Sequence, residues 1–126
     1  MSRSIEDYLE KIYLFVKENK RPIKTTELAK MLNINPSAIT NMAKRLKELG
    51  YVKYEPYVGI SLTKEGEEIA KKIIEKHQTI KTFLIICLGL NEEEADEEAC
   101  KLEHVVSDKV LDRLKMFIED YKKVKH

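Results

Sequence analysis

Cys100, Glu103 and His104 stand at i, i+3 and i+4, positions that share one face of a 3.6-residue helix. Asp7 and Glu10 repeat the i, i+3 spacing near the start of the chain, and His77 lies by itself in the middle. Thiolate, imidazole and carboxylate are the side-chain chemistries that bind first-row divalent metals. Taken one stretch at a time, each has an ordinary reading. The Glu–His pair decorates an acidic helix surface, His77 is a surface or core histidine, and Asp7 and Glu10 are solvated carboxylates. Together they describe one divalent-metal site, provided the three stretches converge. Such a site would tie the N-terminus to the C-terminal half and would act as a switch rather than a staple. Six donors exceed the four of a closed zinc site, which leaves open one six-coordinate ion or two ions sharing carboxylates.

The elements that must position these residues follow from hydrophobic periodicity. Residues 4–18 form an amphipathic helix with Ile5, Tyr8, Leu9, Ile12, Phe15 and Val16 on its stripe, and Asp7 and Glu10 off it. Thr25 is a candidate cap for a short helix that buries Leu28, Ala29 and Leu32. Asn33–Ile34–Asn35 is a tight turn. Asn35 then caps a second helix with Pro36 at its first position, and Gly50 ends it. Ile39, Met42, Ala43 and Leu46 face inward. Ser37, Ala38, Thr40, Asn41, Lys44 and Arg45 face outward. A short helix, a three-residue turn and a longer helix with a small polar, basic face make a helix-turn-helix. Two short strands, about 52–55 and 60–63, follow around a turn containing Pro56 and Gly59, and read as a wing.

From Lys64 to Leu90 the pattern is helical again, with Ile69, Ile73, Ile80, Phe83, Leu84 and Leu88 on its apolar side. Asn91 can cap the acidic helix that carries Cys100, Glu103 and His104. A last helix spans about Ser107 to Tyr121, with Val110, Leu111, Leu114, Phe117 and Ile118 expected to be buried. The fold class is therefore mainly α: a winged helix-turn-helix over 1–63 with a small β-hairpin wing, then an all-α domain over 64–126.

The bulk numbers agree with a folded, helix-rich protein. Of 126 residues, 43% are hydrophobic and 36% charged, which argues against disorder. The longest apolar run, Phe83 to Leu90, is too short to span a bilayer. With no signal-peptide core, a cytoplasmic protein without a membrane partner is expected. Cys87 and Cys100 are too few for a disulfide framework and fit a reducing compartment, and Cys87 within FLIICLGL reads as a small buried hydrophobe. Net charge is +1, but residues 1–60 carry 11 Lys/Arg against 7 Asp/Glu and residues 61–126 carry 12 against 15. A basic front half suggests a polyanion partner.

That partner is double-stranded DNA on the helix-turn-helix reading. Ser37, Thr40 and Asn41 can reach base edges in the major groove, and Ala38 can touch a thymine methyl. Lys44, Arg45, Lys47, Lys53 and the wing residue Tyr57 would face phosphates, and the helix beginning near Thr25 could offer backbone N–H groups to another. Nothing in the chain supplies a further nucleophile or a phosphate-binding loop, so an enzyme is not expected. A metal-independent winged-helix regulator that senses a small molecule or an oxidant, through Cys100 for instance, is the alternative.

In order and spacing, SIEDYLEKIYLF, NPSAITNMAKRLKELGYV, KKIIEKHQTIKTFL and above all EEACKLEHVVSDKVLDRL resemble the diphtheria toxin repressor / manganese transport regulator family of metal-dependent transcriptional repressors. The resemblance covers nearly the whole chain. It implies a dimer with an N-terminal winged helix and a helical metal-binding and dimerisation domain. It also implies that Asp7, Glu10, His77, Cys100, Glu103 and His104 are ligands, and that Ser37, Ala38, Thr40 and Asn41 face bases. The chain is similar to the short, manganese-type branch without an SH3-like C-terminal domain, and Asp7 and Glu10 match that branch. Cys100 departs from it, standing where the manganese branch has Glu and the iron branch Cys. Lys81 and Asp96 depart from the iron branch's second metal site.

A thiolate favours Fe²⁺ over Mn²⁺. The expected cofactor is thus Fe²⁺, with Mn²⁺ second and other divalent transition metals binding in vitro. The expected target is a palindromic operator gripped by a homodimer, whose two Asn35–Leu49 helices must match major grooves about 34 Å apart. The run around Phe83–Leu88, with part of the last helix, is the candidate dimer interface.

Overall fold

A computed structural model describes residues 3–125. Six helices and one hairpin follow in order: α1 (Arg3–Asn19), α2 (Thr25–Leu32), α3 (Pro36–Glu48), β1 (Val52–Glu55), β2 (Gly59–Leu62), α4 (Lys64–Ile86), α5 (Glu92–Leu102) and α6 (Asp108–Lys125). The chain divides into two compact units, Met1–Lys71 and Lys72–His126. The division falls within α4 because Ile69 and Ala70, in its first turns, pack on the first unit's core. Among the described residues, no helix is long and apolar enough to cross a membrane.

The first unit is a winged helix-turn-helix. Leu9 and Ile12 of α1, Leu28 of α2 and Ile39 and Leu46 of α3 are fully buried against Val52 and Ile60 of the hairpin. Asn35 ends the helix-turn-helix turn as an extended residue whose side chain accepts the Ser37 N–H at 2.8 Å, and Pro36 needs no donor partner at the first helical position. Asn33 adopts a left-handed φ of 55°, which lets the Ile34 N–H donate back to the Ala29 carbonyl at 3.0 Å and closes α2.

α2 starts one residue away from the expected cap. Lys24 is the extended residue before it, and Thr25 is the first helical one. The cap is built from Glu27, whose carboxylate accepts the Lys24 N–H at 2.9 Å. The strands pair antiparallel with Val52 opposite Leu62 and Glu55 opposite Gly59, so β2 begins and ends one residue earlier than expected. Ile23 bridges Ile60 through two backbone hydrogen bonds of 2.9 and 2.8 Å, anchoring the segment before α2 to the wing.

Arg21 grips Glu27 through two hydrogen bonds of 2.8 and 2.7 Å. That guanidinium, helped by the Lys24 N–H, brings the Glu27 carboxyl down to about 2. The folded value lies below the ordinary one of about 4.3. Glu27 therefore contributes its stabilisation fully above that value and loses it as pH falls through the window down to about 2. Thermal melts should show the native chain losing more Tm between pH 5 and pH 2 than Glu27→Gln. Equal losses would contradict the pairing.

The second unit packs α4 from Lys72 onward with α5 and α6. Ile80 and Leu84 meet Ala95 and Ala99, whose small side chains let α5 lie close to α4. Asn91 caps α5 reciprocally: its side chain accepts the Glu94 N–H at 2.8 Å and Glu94 accepts the Asn91 N–H at 3.2 Å. α4 stops at Ile86, earlier than its apolar pattern. Gly89 takes a φ of 73° there, and the Leu90 N–H returns to the Leu84 carbonyl. Leu88 is consequently exposed. In α6, Leu111 and Ile118 are buried as expected, but Val110 and Phe117 are half exposed. They lie on a second apolar stripe with Phe83, whose ring meets Phe117 edge-on with centroids 5.9 Å apart.

Candidate metal centre and nucleic-acid face

Within the second unit, donors from three places in the chain come together. His77 projects from α4 and Cys100 from α5, while Glu103 is the residue that ends α5. One ligand atom from each lies within 4.8 Å of the others. His77 Nδ1 is 3.0 Å from a Glu103 carboxylate oxygen and 3.8 Å from Cys100 Sγ. Glu103 is only 2% exposed, the one buried charged residue among those described. A carboxylate taken out of water needs a compensating cation or full hydrogen bonding. An imidazole, a thiol and a second histidine lie beside it. His104 Nε2 stands 3.4 Å from its other oxygen. This donor set, one nitrogen and one sulfur around a buried carboxylate, fits a divalent transition metal.

The helix ends at Leu102, so Cys100, Glu103 and His104 are not all on one helical face as the spacing predicts. The Glu103 N–H still donates to the Ala99 carbonyl at 2.9 Å, which keeps Glu103 one turn from Cys100, while His104 belongs to the turn that follows. That turn is held from α4: Lys76 Nζ donates to the Val106 carbonyl at 2.8 Å and pairs with Asp108 at 3.5 Å. Asp7 and Glu10 stand half-buried one turn apart on α1, in the first unit.

Sequence reasoning did not find the partner of His77's other nitrogen. Nε2 lies 2.8 Å from Asp96 of α5, and Lys81 approaches the same carboxylate oxygen at 3.4 Å. The hydrogen bond from His77, then that from Lys81, holds the Asp96 carboxyl below its ordinary range. No local pattern announces a contact between residues 19 apart on two helices. Asp96's place one turn before Cys100 was the available hint.

In the first unit, α3 exposes Ser37, Ala38, Asn41, Lys44 and Arg45, and half-buries Thr40. The Ser37 hydroxyl donates to Asn35 at 2.8 Å and the Thr40 hydroxyl to the Pro36 carbonyl at 3.1 Å. Both thus keep acceptor capacity for a partner. Lys47 turns aside and donates to the Tyr54 carbonyl at 3.3 Å, fastening α3 to the wing. Thr25 and Tyr57 line one cleft with Lys24, Thr26 and Pro56, between the start of α2 and the wing tip. Lys53 lines a different one, with Tyr13, Lys17 and Lys71.

Comparison with known proteins decides the class. Residues 1–60 match the N-terminal DNA binding domain of iron dependent repressors, and residues 63–126 match their metal binding and dimerisation domain. The chain belongs to the iron-dependent repressor family. It is 70% identical over 122 residues to an uncharacterized HTH-type transcriptional regulator of Methanocaldococcus jannaschii, covering 97% of this chain and 98% of that one. It is 34% identical over 121 residues to the HTH-type transcriptional regulator MntR of Bacillus subtilis, covering 93% and 84%.

Among solved structures, the manganese regulator SloR superposes with a TM-score of 0.77 at 33% identity, covering 94% of this chain and 55% of SloR. The chain thus spans about half of SloR's length. As a member of the iron-dependent repressor family, the chain falls in the class of metal-dependent transcriptional regulators. The metal-independent alternative is not favoured, because the second half matches a metal binding domain. The relatives are named as regulators, not as enzymes.

Proposed function

We propose that the protein represses transcription as a homodimer on a palindromic duplex operator, and that Fe²⁺, ahead of Mn²⁺, controls its grip. The observation that carries this reading is the His77–Cys100–Glu103 cluster around a buried carboxylate, in the same chain as a helix-turn-helix with an exposed polar and basic face. Asp7, Glu10 and His104 are the further ligands proposed. A bound divalent ion would place positive charge beside the buried Glu103 carboxylate, and would favour whichever arrangement gathers all the donors.

Cys100 must lose its proton and His77 must be neutral to bind, so loading releases protons and weakens as pH falls. Cys100 is the reason to place Fe²⁺ before Mn²⁺: thiolate suits the later metals and all-oxygen sets suit Mn²⁺. Names given to relatives point the other way, since SloR is a manganese regulator. Competition between the two ions is therefore part of the test. On the DNA side, Ser37, Ala38, Thr40 and Asn41 would meet base edges, while Thr25, Lys44, Arg45, Lys53 and Tyr57 would meet phosphates. Lys47 would do so only by giving up its bond to the wing.

The test is anisotropy titration of a duplex selected by this protein from a random library, anaerobically, with Fe²⁺, with Mn²⁺ and with chelator. A ten- to hundredfold gain in affinity over the chelated state is expected, a coupling of about 1.4–2.7 kcal/mol. Equal affinity in all three conditions would dismiss the metal switch. A larger gain with Mn²⁺ would reverse the choice of ion.

A further inference from the structure

The His77 imidazole is engaged on both sides. Nδ1 faces Glu103 at 3.0 Å and Cys100 at 3.8 Å, and Nε2 faces Asp96 at 2.8 Å. A neutral imidazole has one N–H and one lone pair. Asp96 and Glu103 are both carboxylates and compete for that N–H; once an ion takes the Nδ1 lone pair on the side of Glu103 and Cys100, the N–H lies on Nε2 and Asp96 accepts it. Asp96 is not alone. Lys81, three-quarters shielded on α4, sends its ammonium to Asp96 at 3.4 Å and to Glu92 at 3.5 Å. Glu92 and Asp96 stand one turn apart on α5, and such a carboxylate pair beside an imidazole would attract a second divalent cation. A tethered positive charge already lies against both.

We infer that Lys81 is a built-in counter-cation: through Asp96 it holds His77 with Nδ1 presented, and it confines this site to one ion per subunit. The inference rests on the metal-site reading above. Asp96 and Lys81 are positioning residues on this view, not ligands. Loss of an outer partner that orients a ligating histidine costs about ten- to a hundredfold in metal affinity.

The test uses the whole chain and Co²⁺ alone, with equilibrium dialysis for stoichiometry and the near-ultraviolet thiolate-to-cobalt band for Cys100. One ion per subunit with a thiolate band is expected for the native protein. Lys81→Glu should admit a second ion without moving that band, and Lys81→Arg should stay at one. Asp96→Ala should weaken the first ion about ten- to a hundredfold and leave its band in place.

A native stoichiometry of two overturns the inference, as does a Lys81→Glu variant that still stops at one. An unchanged affinity in Asp96→Ala removes the positioning role. The metal-site reading fails separately, and takes this inference with it, if the native chain shows no thiolate band and His77→Ala binds cobalt as well as native protein does.

Discussion

Glu103→Gln is expected to abolish the metal response while leaving the metal-free protein folded. Glu103 is buried to 2% and its two oxygens face His77 at 3.0 Å and His104 at 3.4 Å. The amide keeps the volume and one oxygen but not the charge. The isosteric amide retains an oxygen and adds donors toward the two imidazoles, so the chelated protein should stay folded. With metal the charge itself matters. Losing a partner that merely orients a ligand costs up to about a hundredfold in affinity, and losing a charged ligand should exceed that. At an ion concentration a hundred times its Kd, native protein gains about 2.7 kcal/mol of stability. The variant should gain almost none under the same conditions. Paired melts with chelator and with Co²⁺ read both halves of the prediction. A cobalt-induced shift in Glu103→Gln equal to the native one would remove Glu103 from the site.

The second large effect lies in the first unit and involves no chemistry. A Cβ added at Gly66 would sit 2.0 Å from the Tyr51 carbonyl oxygen. That same oxygen accepts the Thr63 N–H at 3.1 Å, and Thr63 Oγ1 donates to the Gly50 carbonyl at 2.7 Å. The obstacle is backbone on one side and helix on the other, so neither can yield without breaking the junction between the wing and α4. Gly66→Ala should cost about 3 kcal/mol, which lowers Tm by roughly 10 °C in a chain of this size. Gly50→Ala is the control. Its added Cβ meets nothing, though its φ of 85° should still cost about 1 kcal/mol. A Gly66→Ala protein that unfolds within about 1 kcal/mol of native would refute the close approach.

Much of this was legible in the chain because the signals are local. Asn35–Pro36 marks the start of α3 through its own hydrogen bond, and Cys100 and Glu103 share a helix turn whatever surrounds them. What the structure adds to these readings is tertiary information. Val110 and Phe117 have the spacing of core residues, but α6 carries apolar side chains over more than one stripe; Leu111 and Ile118 are buried, Leu114 packs against the core, and Val110 and Phe117 stay half exposed. Lys47 reads as a phosphate contact until the wing carbonyl of Tyr54 comes within reach. His104 follows a helical spacing that the backbone abandons one residue earlier. Asp96 and Lys81 meet His77 only because α4 and α5 pack through Ala95 and Ala99, a consequence of small residues that no motif spells out.

The wing tip shows how a fold can keep something for use outside itself. The Val58 N–H donates to the Glu55 carbonyl at 3.1 Å, and Tyr57 occupies the third place of that turn with a φ of 69°. Glycine ordinarily takes this position, since a bulky side chain is strained there. Yet the ring is wholly exposed and shelters no core residue. Held on a proline-led corner, the backbone beneath the phenol loses little further freedom when the ring meets a surface. Whatever it touches therefore encounters an aromatic group whose point of attachment is already set.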